Sequence, residues 1–502
     1  MIEMYFSLSE AQKGIYIDCV RGMSASYNNV AMIQIDELDV TVLKKAIKYL
    51  IKEQEMLRTS ICEYNGKLSM AVFDNVEEPL FYCDMSESNE TDINAEVNSF
   101  VSSPFSLQEA PLFAVKLIKC SGKSLLILKV HHLISDGTSM SIFEKKIFDY
   151  YNRIASDKAI EVNVDSGFRK FAEKHNKKLK EGKYDKLRVR WNKHLEDVEI
   201  LSFGKNIYGD EENIGKEQLF SISPGVAEQV KQLCTHYEVT EYMFYLAVFF
   251  VLLKKYTRNS DILISSPFST RNSFDLEKTI GCFVSLLPLR VIFTEDSSFL
   301  DILQKVCNEI IFAYKNINYP NNLIFRENFS DVNSSNTVAD ISFIYDVYDY
   351  DESQNSISVI DLDKVPFSGK INLTLASTPE GNRVIHILYK ENVFTSDEIA
   401  YIGHHFINIL SEVITNCSVP ICDIAMLDET ERRQILEDFN STTVEYSKDK
   451  TIDKTVVELF EEQVEKTPDN IAVVFENESI TYAELNKKSN QVAAVLYEQG
   501  VR

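Results

Sequence analysis

Apolar and polar positions along this chain switch repeatedly between a helical and a strand period. Over residues 40–55, Leu43, Ala46, Ile47, Leu50 and Ile51 recur at three- and four-residue spacing, which predicts a helix with one face in a core. Residues 9–19 repeat that spacing through Ala11, Ile15 and Tyr16, whereas residues 29–38 alternate as a strand does. Two apolar runs, 111–120 and 123–131, flank Ser121-Gly122 and predict paired strands, with a helix following at 139–154. A lysine-rich stretch, 173–193, reads as a connector containing a solvated helix. A second block, 218–416, predicts helices at 226–236, 240–255 and 396–413 and strands at 261–266, 284–293, 340–345 and 384–389. Residues 440–454 are polar and read as a linker. A last unit follows, with a helix at 456–466, a turn at Thr467-Pro468-Asp469-Asn470, a strand at 471–475 and a helix at 483–499. So small a unit has little to bury and reads as the start of a larger domain.

Composition narrows the class. The 502 residues are 45% hydrophobic and 25% charged, as in an ordinary globular protein, and suffice for about three domains. The net charge of −24 argues against nucleic acid and against an anionic membrane surface as partners. No run reaches the roughly 18 apolar residues of a membrane span, and the first residues lack a secretory pattern. The apolar stretch 243–253 reads as a buried helix. Nine scattered cysteines without a Cys-x-x-Cys pair fit a reducing cytoplasm and give no metal-cluster cue. The 24 tyrosines and 30 phenylalanines are expected in core and cavity wall.

The chemistry concentrates in Val130-His131-His132-Leu133-Ile134-Ser135-Asp136-Gly137. A core strand that ends in two histidines places imidazoles at a strand mouth, where they can exchange a proton near neutral pH. Asp136 is suited to fix the local backbone, and Gly137 to allow a tight turn and close substrate approach. Zinc is not expected, because adjacent strand residues point to opposite faces and seldom share an ion. His404-His405 lies in a helical pattern without a following Asp-Gly and reads as packing or surface.

The His-His-x-x-x-Asp-Gly segment resembles the hallmark of the condensation domains of non-ribosomal peptide synthetases. Further resemblances follow in that family's order: Ser9-Glu10-Ala11-Gln12 with Ile15-Tyr16, Glu55-Met56-Leu57-Arg58-Thr59, Pro267 and Arg271, and Ile280-Gly281-Cys282-Phe283-Val284-Ser285 with Leu289-Arg290. The tail resembles the opening of an adenylation domain, through Glu458-Leu459-Phe460-Glu461-Glu462-Gln463, Thr467-Pro468-Asp469 and Ile480-Thr481-Tyr482-Ala483-Glu484-Leu485. Three departures stand out. Glu53-Gln54 replace a frequent Arg-His, Ser285 replaces a frequent Asn, and Ser335-Asn336-Thr337 stand where Arg-Asn-Pro is common.

The resemblance implies an α/β protein with two chloramphenicol acetyltransferase-like lobes in a V-shaped pseudo-dimer around a central tunnel. The expected divisions are 1–175 and 176–427 for the lobes, 428–455 for the linker and 456–502 for the adenylation start. The implied reaction is attack of an acceptor amine on a donor acyl thioester, both carried on phosphopantetheine, with no cofactor bound covalently. His132 is the expected central residue, as proton acceptor or as positioner of the amine. His131 is expected to shape the loop, Asp136 to pair with Arg58 or Arg290, and a backbone N–H near Gly137 to meet the oxyanion. Expected partners are a downstream acceptor carrier domain and an adenylation domain in cis, for a cytoplasmic monomer. The few residues before Ser9 favour a donor arriving in trans, as fatty acyl-coenzyme A or on an acyl carrier; a peptidyl donor from an upstream synthetase is the alternative. A non-catalytic recruitment domain of the same fold is the alternative of a different class.

Overall fold

The computed structural model describes residues 1–205, 214–329, 340–346, 365–367, 369–377, 382–441 and 454–501. Contacts divide the chain into two compact units, Met1–Leu427 and Asp428–Arg502. The polar stretch read as a linker falls largely outside the described residues, as does Ser335-Asn336-Thr337.

The first half of the larger unit runs β1 (Ile2–Ser7), α1 (Glu10–Asp18), β2 (Asn28–Ile35), α2 (Val40–Glu53), β3 (Thr59–Tyr64), β4 (Lys67–Phe73), β5 (Leu80–Asp84), α3 (Glu90–Ser102), β6 (Phe113–Lys119), β7 (Ser124–His131) and α4 (Gly137–Ala155). Two sheets form, in the orders β1-β4-β3 and β2-β7-β6-β5. Helix α2 starts at an Asp39 cap and buries Leu43, Ala46, Ile47, Leu50 and Ile51, the positions its spacing singles out. Strand β7 is buried at every residue, because one face meets the main core and the other meets Val97 and Val101 of α3. Burial on both faces explains why it reads as a continuous apolar run rather than an alternation. Its one charged member, Lys129, donates from Nζ to the carbonyls of Phe100 (2.7 Å) and Ser103 (3.0 Å) at the end of α3. Burial, and then the charge of Lys116, push this ammonium down to about 8.

The chain continues through α5 (Gly167–Lys180) and α6 (Asp185–His194). These are not a solvated connector. Phe168 and Ala172 join the first core, Trp191 joins the second, and the Trp191 indole N–H donates to the Asn316 carbonyl at 3.1 Å. Their many lysines hide a regular apolar face: Phe168, Phe171, Ala172 and His175 recur at three- and four-residue spacing. Helix α5 runs through position 175.

The second half comprises β8 (Ile214–Ile222), α7 (Pro224–Tyr237), α8 (Glu241–Thr257), β9 (Asp261–Ser269), β10 (Val284–Ile292), α9 (Phe299–Asn316), α10 (Asn321–Asn328), β11 (Ile341–Asp346), β12 (Val365–Pro366), β13 (Ile371–Ser377), β14 (Arg383–Tyr389) and α11 (Ser396–Thr415). Its sheet has the order β10-β9-β11-β13-β14-β8-β12. Helix α8 is buried on all sides from Phe244 to Leu253. His405 on α11 is buried, with its Nδ1 2.7 Å from the Tyr256 hydroxyl, while the exposed His404 packs edge-on against Phe220. No described helix is long and apolar enough to cross a membrane.

The smaller unit contains α12 (Glu429–Arg433), α13 (Val456–Lys466), β15 (Ile471–Phe475), β16 (Glu478–Thr481) and α14 (Tyr482–Glu498). Strands β15 and β16 pair antiparallel, and α13 and α14 each begin with a threonine capping box.

Candidate active site

Strand β7 delivers two histidines into different surroundings. His131 closes the ladder opposite Asn28 and is fully buried. Its Nδ1 accepts the Leu133 N–H at 3.1 Å, and its Nε2 lies 3.7 Å from the Cys19 sulfur. Burial, reinforced by the neighbouring His132, pushes this imidazole down to about 3, so it is neutral and holds the loop. His132 is half-buried; its backbone N–H donates to the Tyr27 carbonyl at 2.7 Å, and its Nδ1 lies 3.8 Å from Sγ of Cys282. The Tyr27 hydroxyl is anchored in turn on Asp18 at 2.7 Å. Gln12, paired with Ser9 in a capping box at the start of α1, donates to the Leu133 carbonyl at 2.7 Å.

Asp136 caps α4 by accepting the Ser139 N–H at 2.7 Å. Its carboxylate also accepts from Arg271 Nη2 and from the Phe283 N–H, each at 2.9 Å. Neither Arg58 nor Arg290 is its partner. Arg58 binds Glu3 at 2.7 Å beside the β1-β4-β3 sheet, and Arg290 binds Asp261 at 2.6 Å across β9 and β10. Arg271 replaces them because residues 270–283 cross to the first half, where Leu276, Ile280, Cys282 and Phe283 enter the first core. Its guanidinium lies 4.2 Å from the centre of the Phe283 ring and also donates to the Thr279 carbonyl at 2.8 Å.

Gly137 is the first residue of α4 and is exposed, with open space where a Cβ would stand. Its backbone lies outside the left-handed region, so the turn itself does not require glycine. Gly281, by contrast, has a steric requirement: a Cβ there would lie 2.3 Å from the Phe168 ring. Both of its backbone groups are held by Ser139, whose Oγ lies 3.1 Å from the nitrogen and 2.9 Å from the oxygen.

Three further residues that motif reading left without a role complete the joint. Gln54, where the resemblance leads one to expect a histidine, is buried and accepts the Ile280 N–H at 2.9 Å. Glu53 binds Lys146 at 2.7 Å and accepts from the Tyr150 hydroxyl at 3.0 Å, both on α4. Glu55 binds Arg169 of α5 at 2.8 Å. Sequence polarity gives no signal for them, since Lys52-Glu53-Gln54-Glu55 form one polar block between Ile51 and Met56 and read as a solvated helix end. Among the described residues, no three His, Cys, Asp or Glu side chains stand together as metal ligands would. A cavity of about 560 Å³ beside α5, lined in part by Lys170, Phe171, Lys174 and His175, does not include His132.

Sequence comparison assigns this arrangement to a class. The condensation-domain family model matches residues 2–436, and the chain belongs to that family. The model of AMP-binding enzymes matches residues 460–502. A similar protein is gramicidin S synthase 2 of Brevibacillus brevis, 34% identical over 99% of this chain and 11% of that protein. The chain thus spans about a tenth of that relative's length. Two solved structures share the fold. One is the first condensation domain of the calcium-dependent antibiotic synthetase in complex with a substrate analogue, with TM-score 0.70 and 18% identity over 85% of this chain and all of that one. The other is a four-domain nonribosomal peptide synthetase bound to AMP and glycine, with TM-score 0.76 and 18% identity over 99% of this chain and 39% of that one.

Proposed function

We propose that this condensation domain forms an amide bond between a donor acyl thioester and the amine of a carrier-bound aminoacyl acceptor, both presented on phosphopantetheine arms. The observation that carries this reading is the family match over residues 2–436, combined with a partly exposed His132 at the mouth of a rigid strand. In this reading His132 meets the reacting groups, while Asp136, Arg271 and Ser139 keep its loop in register. Thioester aminolysis runs downhill, so holding the two arms together supplies much of the acceleration. Residues 1–175 and 176–427 act as the two lobes, and 428–455 as the link to an adenylation domain beginning in 456–502. Acceptor carrier and adenylation domain then work in one cytoplasmic assembly.

For the donor we favour a peptidyl or aminoacyl group delivered by a preceding carrier, supported by the similarity to gramicidin S synthase 2. A fatty acyl donor, from coenzyme A or an acyl carrier, is the second reading. Incubating the protein with an aminoacyl-loaded acceptor carrier and either donor, with product mass as readout, separates them. A peptide product supports the favoured donor, and an N-acyl product reverses the choice. His132→Ala is expected to abolish product with melting unchanged. A full-rate variant overturns the catalytic reading in favour of a recruitment role.

A further inference from the structure

Cys282 is the one side chain in this joint without an assigned part. It is completely buried, and both of its neighbours in sequence are clamped to the loop that carries His132. Gly281 is held through its backbone by Ser139, and the Phe283 N–H by Asp136. With its flanks fixed from α4, the thiol is delivered to the imidazole, Sγ to Nδ1 at 3.8 Å. Burial first, and the Asp136 charge second, hold this thiol well above the ordinary cysteine range, so it keeps its proton. A protonated thiol has an S–H to give, and Nδ1 of His132 is the ring nitrogen within its reach.

We propose that Cys282 is a positioning residue that donates its S–H to Nδ1 of His132 and thereby fixes the imidazole as the Nε2–H tautomer. An imidazole whose Nδ1 accepts carries its proton on Nε2. His132 therefore faces the reaction with a donor, not with a basic lone pair. Resting on the amide-forming function above, the consequence for chemistry is definite. The amine nitrogen attacks the thioester carbonyl carbon, a C–N bond forms, and the carbonyl oxygen gains charge that the Nε2–H stabilises. Collapse breaks the C–S bond, and the departing thiolate takes the proton that the new ammonium nitrogen loses. This choice between donor and base is invisible in a motif that records only two histidines, because the partner lies 150 residues away.

The test reads the tautomer directly. In the full chain labelled with 15N-histidine, long-range 1H–15N correlation distinguishes a protonated from an unprotonated Nδ1, with His132→Gln assigning the resonance. The expected result is an unprotonated Nδ1 in the native protein and in Cys282→Ser, and a shift of that signature in Cys282→Ala. In the amide-forming assay, Cys282→Ala is expected to lower kcat about tenfold with acceptor KM within about twofold, and Cys282→Ser to recover most of that loss. A proton on Nδ1 of the native protein, in neutral ring or imidazolium, overturns the proposal whether or not any variant folds. So does Cys282→Ala with both tautomer and kcat unchanged. Failure to make amide from any donor, with Nδ1 still unprotonated, overturns the functional reading and leaves the tautomer assignment standing.

Discussion

At the scale of single residues, two adjacent histidines carry opposite burdens. His131 is depressed to about 3 by burial, against about 6.5 in an unfolded chain. Between those values the unfolded state holds a proton that the native state lacks, so stability rises with pH across that window and is lost on acidification. From pH 6.5 to 5 this residue is expected to cost on the order of 2 kcal/mol. Urea titrations at both values should show that loss, with His131→Asn removing most of the dependence. Asp136 is the second sensitive residue. Its carboxylate and the Arg271 guanidinium are both buried, so Asp136→Ala strands a cation and is expected to destabilise by about 3–5 kcal/mol. The double variant Asp136→Ala/Arg271→Ala should be less unstable than the sum of the two single losses, as a denaturation cycle will measure.

At the scale of elements, the joint between β7, α4 and the crossing segment 270–283 is the part that sequence motifs only half describe. The helix α2, strand β7 and the start of α4 were legible because their apolar spacing and capping residues are local. Strands β8 and β13 and helix α9 do not stand out by periodicity, although Ser298 and Asp301 form a readable capping box. The lysine content of α5 and α6 masks their buried faces, so their sequence has the look of a solvated connector. The His-His-Asp-Gly segment was legible as a site, yet Arg271 as the partner of Asp136 was not, since the two are 135 residues apart and spacing carries no such information. Two substitutions test the joint. Gly281→Ala forces a methyl into the Phe168 ring and is expected to cost about 1–3 kcal/mol or more. Its melting temperature should recover partly when Phe168 is shortened to Leu. Gln54→Leu leaves the buried Ile280 N–H without its acceptor and should cost about 1–3 kcal/mol in the same assay.

At the scale of the molecule, residues 1–427 hold two large cores, and a small one between α3 and β7, in one architecture. Leu276, Ile280, Cys282 and Phe283 belong by sequence to the second half and by packing to the first, and α5 and α6 serve both. Calorimetry is therefore expected to show one cooperative transition for this unit, and Asp136→Ala to lower that transition as a whole rather than split it. Two separate endotherms for the native unit would contradict the coupling.

The crossing of residues 270–283 also governs when the site comes into being. During synthesis, His132 leaves the ribosome some 150 residues before Cys282. At roughly 5–20 residues per second, that is an interval of about 8–30 s. For that time the nascent first half holds its histidine loop without Arg271, Gly281 or Phe283, and part of its core is open. A polypeptide stalled in this interval has the hallmark residues but no working geometry, and its unfilled core is a surface for chaperones to protect.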